Sequence, residues 1–295
     1  MPRHASASQP VTIIGPGRIG QALGHLLVRG GVTIGRVAAR RLAGARQAAK
    51  FIGAGRAVAL ESAELAQARV LLITTSDAAL LPVAEKLAAL RNSWKGSVVL
   101  HASGAWPAGG THSVLAPFRT RGASAGSLHP LQTVPSREAG VRNLAGCSWA
   151  LEGDRAALQL ARRWVRMLGG SAFMVDPDRK AAYHAAAVIA CGGVVTLMET
   201  SRRLLEQCGV APKTARKMLQ SFVSATAKSY TELGSPRALT GPAVRDDWTT
   251  ISRHIAALRE AYPDAVSLYR ELTSQMLALT GKNTASVDRL PSMDD

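Results

Sequence analysis

Four short stretches carry side chains able to move a proton or to orient a small polar substrate. The first is Asp178-Arg179-Lys180-Ala181-Ala182-Tyr183-His184. On a helix, Lys180 and His184 share one face and Tyr183 lies beside them. The residues that follow, Ala185 to Ala190, are small and apolar. The pair is therefore expected at the mouth of a helix that is otherwise buried. A lysine withdrawn from water has a lowered pKa and can give or take a proton near neutral pH. The plainer reading is a surface lysine at a helix start that Asp178 caps. The other stretches are Thr74-Thr75-Ser76-Asp77, His101-Ala102-Ser103-Gly104 and Ser127-Leu128-His129-Pro130-Leu131-Gln132. Ser103, with His184, is a candidate to hold a polar group, and His129 is a second candidate acid. His101 and His129 are equally readable as core histidines satisfied by backbone, and Asp77 as a helix cap.

A fifth stretch could bind a phosphate. Gly15-Pro16-Gly17-Arg18-Ile19-Gly20 follows an apolar run and opens a helical one, the context in which a G-x-G-x-x-G pattern has meaning. Gly15 permits a tight turn, Gly17 clears the approach of a pyrophosphate, and Gly20 lets helix pack on strand. The first helical N–H groups, at Arg18 and Ile19 among others, lack partners and point at the anion. A glycine-rich turn without a ligand is the alternative. Thr74 and Ser76, after a later strand, would approach the same cofactor. No acid stands between Gly20 and Leu60 to take a ribose 2′-hydroxyl; Arg40 and Arg41 offer two guanidiniums there instead. They predict NADP(H) over NAD(H), unless they form a solvated surface pair.

These groups need elements to position them. Val11–Ile14, Val32–Ala39, Ala57–Leu60, Val70–Thr74 and Ser97–His101 read as strands, alternating with helical runs. The alternation predicts a doubly wound, Rossmann-like α/β domain. Ser124–Leu128, Ser148–Leu151 and Ala172–Val175 extend the strand pattern, and Arg155–Leu168 reads as a helix. In such a sheet the ligand lies beyond the carboxyl ends of the strands, where four of the five stretches fall. After Asp176 the periodicity is helical over 178–231 and 248–279, with a loop over 234–247. The expected organisation is a Rossmann-like domain over 1–176 and an all-α domain over 177–295, with frayed termini.

Composition sets outer bounds. The chain has 295 residues, 47% hydrophobic, 19% charged and only 4% aromatic. That is a globular composition with a core expected to be Ala, Leu and Val. The net charge of +16 is concentrated in residues 1–150, with 17 basic against 5 acidic side chains. An anionic partner is expected there. No helix-turn-helix, zinc ligand set or aromatic RNA-binding motif accompanies the charge, so nucleic acid ranks below a dinucleotide. Cys147, Cys191 and Cys208 are too few and too scattered for a disulfide framework or metal site. With no signal-like run at the start, they point to a reducing cytoplasm. The apolar stretch Ala181–Met198 contains His184 and a Gly-Gly pair, and reads as a buried core helix rather than a membrane span.

Taken in order, the glycine motif, His101-Ala-Ser103-Gly104, Ser127-Leu-His129-Pro130-Leu-Gln132-Thr133, Lys180-x-x-Tyr183-His184-Ala-Ala-Ala-Val188 and Leu239-Thr-Gly241-Pro242-x-x-Arg245 resemble a family. It is the bacterial Rossmann-like family with an uncharacterised C-terminal helical domain, of the 6-phosphogluconate dehydrogenase C-terminal-like superfamily. It is similar to deazaflavin-dependent NADP oxidoreductases, pyrroline-5-carboxylate reductases and ketopantoate reductases. The resemblance implies Lys180 as proton donor or acceptor, His184 at the position of a substrate-orienting Asn, and a helical domain that often dimerises. Family members usually have Arg-Gly-Asp where this chain has Arg245-Asp246-Asp247, and many have Asn at Gly192. The expected activity is hydride transfer between a nicotinamide and a carbonyl or imine carbon of a small acidic substrate, in a homodimer. A sensor or partner subunit that binds NADP(H) without chemistry is the alternative.

Overall fold

The computed structural model describes residues 9–287; the expected frayed ends lie outside these. The chain divides into two compact units, the first ending at Cys191 and the second beginning at Gly192.

The first unit alternates strand and helix. Its strands are β1 (Val11–Ile14), β2 (Ile34–Ala39), β3 (Arg56–Ala59), β4 (Val70–Ile73), β5 (Val98–His101), β6 (Ser124–Pro130), β7 (Ser148–Gly153) and β8 (Ser171–Met174). Its helices are α1 (Arg18–Arg29), α2 (Leu42–Ile52), α3 (Asp77–Ala88), α4 (Ala116–Arg119), α5 (Arg137–Asn143), α6 (Arg155–Met167) and α7 (Lys180–Val188). The strands form one sheet in the order β3-β2-β1-β4-β5-β6-β7-β8. This is the doubly wound sheet expected, with the chain switching direction between β1 and β4. Every neighbouring pair is parallel except β6 and β7. After β6 the chain forms α5, which packs on α1, and re-enters the sheet with Trp149 beside Pro130.

Apolar side chains fill both faces of the sheet, as buried parallel strands require. On one face Ile13, Leu23, Leu27, Val37 and Trp164 cluster; on the other Ile14, Leu71, Ile73, Leu80 and Phe118. Aliphatics dominate, as composition predicts. The bulkiest core members are nevertheless Trp94, Trp149, Trp164 and Phe118, while Trp106, Phe222 and Tyr230 stand exposed. Trp94 meets Phe118 edge-on at 4.8 Å, a favourable ring geometry.

One register row positions the site. Ile14, Ile73, His101, Ser127 and Glu152 stand side by side on β1, β4, β5, β6 and β7. Side chains in one row share a face. The row is apolar on β1 and β4 and turns polar from β5 onward.

Past α7 the helix continues through a π-helical turn, Ile189–Gly193, into α8 (Val194–Gln207). The second unit holds α8, α9 (Pro212–Leu233), α10 (Trp248–Ala261) and α11 (Ala265–Leu279). The helical run expected over 178–231 is thus interrupted twice, once by the π turn and once at Cys208–Ala211. There Gly209 turns at φ +83° and Pro212 starts α9. Pro263 similarly divides the second run. Ile251, Ile255, Leu258, Val266 and Leu277 form a core of their own. Asp246 takes the left-handed conformation at φ 57°, where Gly is the unstrained choice.

Ala181–Met198 departs from expectation. The helix Pro177–Gln207 is long and apolar enough to span a membrane, but its most apolar window is not buried. Val188, Ile189 and Val195 are more than half exposed. The stretch is a surface apolar helix, not a core helix: Tyr183 and His184 pack against His129, while Val188, Ile189 and Val195 face outward.

Candidate functional site

The glycine turn is built as the spacing requires. Gly15 has φ +66°, and a Cβ there would strike the Thr75 methyl. A Cβ on Gly20 would strike the Thr74 hydroxyl, so this glycine brings α1 against β4. Gly17 is different: the nearest heavy atom to a Cβ would be the Thr74 carbonyl oxygen at 3.7 Å. Its bareness serves the space in front of the turn. Thr74 donates its hydroxyl to the Gly15 carbonyl oxygen (3.0 Å) and lies near that of Ile14 (3.3 Å). It therefore holds the turn from behind.

In front of the turn lies a cavity of about 530 Å³, lined by Gly15, Gly17, Arg40, Thr75, Ser76 and Arg137 among others. Arg40 comes from the end of β2, and Thr75 and Ser76 from the end of β4. Arg41 is the exposed residue before α2 and does not line the cavity. Arg18 donates to the Pro135 carbonyl oxygen (3.0 Å), and Ile19 is half-buried beside it. The Thr75 hydroxyl oxygen is buried without a protein partner, which is costly unless a ligand or water supplies one. A nicotinamide dinucleotide fits this donor set. Gly17 leaves room for its diphosphate, the amides of α1 and the Thr75 hydroxyl would donate to it, and Arg40 lines the same space from the end of β2. The cofactor would supply hydride chemistry.

The polar end of the register row forms a second cluster. Lys180, at the start of α7, reaches Ser127 Oγ and donates to Glu152 Oε1 (2.9 Å). Glu152 also accepts from the Ala108 and Gly109 amides (2.8 and 3.1 Å). Lys180 is 1% exposed and Glu152 2%. The lysine is thus not at an open mouth, as its place on the helix suggested, but inside a satisfied buried ion pair. Burial lowers its pKa, opposed by the charges of Glu152 and Asp77. Burial alone would raise the Glu152 carboxyl; the Lys180 charge and the bonds it accepts reverse this and hold it low. Asp178 does not cap α7; Asp176 caps the 3-10 turn Pro177–Arg179 ahead of it, accepting from the Asp178 amide (3.0 Å). Sequence reasoning missed Glu152. Its signal was an acid inside the apolar strand Trp149-Ala150-Leu151, which demands a buried cation.

Beside this pair, three rings converge. His129 Nδ1 and the Tyr183 hydroxyl are 2.7 Å apart, and the His129 ring meets both Tyr183 and His184 edge-on at 5.6 Å. Gly104 makes the approach possible, since a Cβ there would collide with His184 and lie 2.7 Å from His129 Nε2. Burial, followed by the nearby His184 and Lys180 charges, pulls the His129 pKa down to about 4. Burial pushes Tyr183 up to about 12. At neutral pH the imidazole is therefore neutral and the phenol holds its proton. Ser103 Oγ accepts from the Ala105 and Trp106 amides (3.2 and 3.1 Å), leaving its hydroxyl proton free to donate. His101, fully buried, accepts from the Ser103 amide at Nδ1 (3.1 Å). Burial and the Lys180 and His129 charges keep it neutral. Its Nε2 has no partner. Among the described residues no group of three His, Cys, Asp or Glu side chains could hold a metal.

Residues 3–130 match the model of a Rossmann-like domain, and residues 147–276 match the Domain of unknown function (DUF2520). No curated protein matches the sequence. Solved structures with the same fold include a candidate NADP oxidoreductase from Bacteroides fragilis. It is 21% identical, with a TM-score of 0.71 over 92% of this chain and 99% of that one. A Streptomyces aurantiacus imine reductase is 18% identical, with a TM-score of 0.64 over 96% and 99%. A pyrroline-5-carboxylate reductase from Coxiella burnetii is 16% identical, with a TM-score of 0.57 over 91% and 98%. At these identities the likeness is one of fold. The two matches together give the chain a Rossmann-like domain followed by a DUF2520 domain.

Proposed function

We propose that this chain is an NADP(H)-dependent oxidoreductase acting on the carbonyl or imine carbon of a small, acidic substrate. The observation that carries the reading is the cavity at the carboxyl edge of the sheet. It joins the glycine turn, the unpartnered Thr75 hydroxyl and Arg40 in one space. The names of the similar structures, an imine reductase and a pyrroline-5-carboxylate reductase among them, support a C=N or C=O acceptor. The bound coenzyme would supply the hydride, and the protein would supply a proton to the heteroatom. Tyr183 is the better-placed donor of that proton, with His129 bonded to its oxygen to stabilise the phenolate until solvent restores it. His184 and the Ser103 hydroxyl would orient the polar group. Lys180 would act through Glu152 and Ser127, holding the floor of the site.

Titrating NADPH and NADH separately tests the cofactor preference. Tighter binding of NADPH is expected; equal or tighter NADH overturns it. Following nicotinamide absorbance across a panel of oxo-acids and cyclic imines tests the reaction. The ion pair that occupies Lys180 favours one rival, a cofactor-binding sensor without chemistry. Binding with no oxidation across the panel would select it. We further propose a homodimer seated on the exposed apolar helices. Its three free thiols suit a reducing cytoplasm.

A further inference from the structure

Arg137 lies outside every motif discussed so far, in the crossover between β6 and β7, yet its side chain lines the cofactor cavity. Three contacts fix it. Its Nη1 donates to Gln21 Oε1 (3.0 Å), and Gln21 Nε2 donates in turn to the Pro16 carbonyl oxygen inside the glycine turn (3.0 Å). Its guanidinium lies over the Phe51 ring, 4.5 Å from the centroid. Its Nε donates to Glu138 Oε1 (2.8 Å), an ion pair between two exposed side chains, which is weak in water. The remaining guanidinium donors have no protein partner among the described residues.

A planar cation stacked on a ring and tied to a phosphate-binding turn is built for a fork of phosphate oxygens. Its position relative to Arg40 decides which phosphate. Arg40 follows β2, where the 2′-phosphate would lie. Arg137 is tied to α1 through Gln21, on the side of the glycine turn and the diphosphate. We infer that Arg137 is a further cofactor-binding residue, which clamps the diphosphate of the nicotinamide coenzyme opposite the glycine turn. The inference rests on the NADP(H) reading above and extends it to a residue supplied from the far half of the sheet.

The two arginines make separable predictions, because NADPH and NADH share a diphosphate but not a 2′-phosphate. Dissociation constants by calorimetry or nicotinamide fluorescence are the readout. Arg137→Gln is expected to weaken NADPH and NADH alike, each by roughly tenfold, leaving their ratio unchanged. Arg40→Gln is expected to weaken NADPH alone. Arg137→Lys keeps the charge but loses the planar fork and the Nη1 bond to Gln21, and is expected to recover part of the affinity. A merely structural Arg137 would leave the lysine variant as weak as the glutamine one. Raising salt should weaken the wild type more steeply than Arg137→Gln. Unchanged affinities in Arg137→Gln, or a loss confined to NADPH, overturn the inference while leaving the cofactor reading intact. A wild-type protein that binds neither coenzyme overturns both. Thermal melting without coenzyme identifies a variant that has failed to fold, and Arg137→Lys then carries the comparison.

Discussion

Tyr183 and His129 define the chemistry that individual side chains can do here. If the phenol passes the proton, Tyr183→Phe should lower kcat by roughly 10²–10⁴-fold and leave the NADPH dissociation constant where it was. Normal turnover in this variant would remove Tyr183 from the reaction. His129 also links stability to pH. Its pKa is about 4 in the folded protein against about 6.5 when unfolded. The unfolded chain therefore binds the extra proton first as pH falls. The contribution is complete above about pH 6.5 and is lost progressively down to about pH 4. Urea midpoints should fall across that window, and His129→Gln should flatten the fall. The sequence placed Tyr183 and His184 beside Lys180 and singled out His129 and the three motif glycines, because short-range spacing makes such groupings readable. It did not reveal Glu152 or Arg137. Their partners lie 28 and 116 residues away, and no local pattern encodes such distances.

Elements explain why the polar groups meet. The alternation of strand and helix in the first unit was readable from apolar runs and breaks, almost to the residue at β1, β5 and α6. The reversal of β7 was not, since a strand of six residues looks the same in either direction. That reversal sets Glu152 beside Ser127, and α7 delivers Lys180 to both. Breaking this pair should cost more than deleting it. Lys180→Met leaves a buried carboxylate alone and should lose about 3–5 kcal/mol. Combining it with Glu152→Leu should recover much of that loss in a denaturant titration. A double variant no more stable than Lys180→Met would show that the pair is not the energetic unit. The apolar reading of Ala181–Met198 misplaced the stretch in the interior, because composition reports an aversion to water and not which surface satisfies it.

For the whole molecule, the exposed apolar surface is what the proposed homodimer would cover. Val188, Ile189, Val195, Met218 and Phe222 are at least half exposed, Phe222 at 71%. Single chains rarely tolerate many such side chains without a partner. Glu199, Arg202, Arg203 and Glu206 end the apolar run in an ionic cluster, which suits a protein interface better than lipid. Sedimentation should give a dimer, and Phe222→Glu should shift it toward monomer. A wild type that is monomeric, or that partitions into vesicles, would refute the arrangement.

The buried carboxylate has one more consequence, for where the polypeptide can be cut. Glu152 belongs to the sheet, yet its cation arrives only at residue 180. A fragment stopped at Asp176 would keep every strand and still strand a charge in the interior, at a penalty of about 3–5 kcal/mol. A fragment extended to Cys191 would carry its own counterion. Expressed side by side, the longer piece should melt cooperatively and the shorter should precipitate or melt far lower; equal melting would mean that the autonomous folding module closes without the lysine.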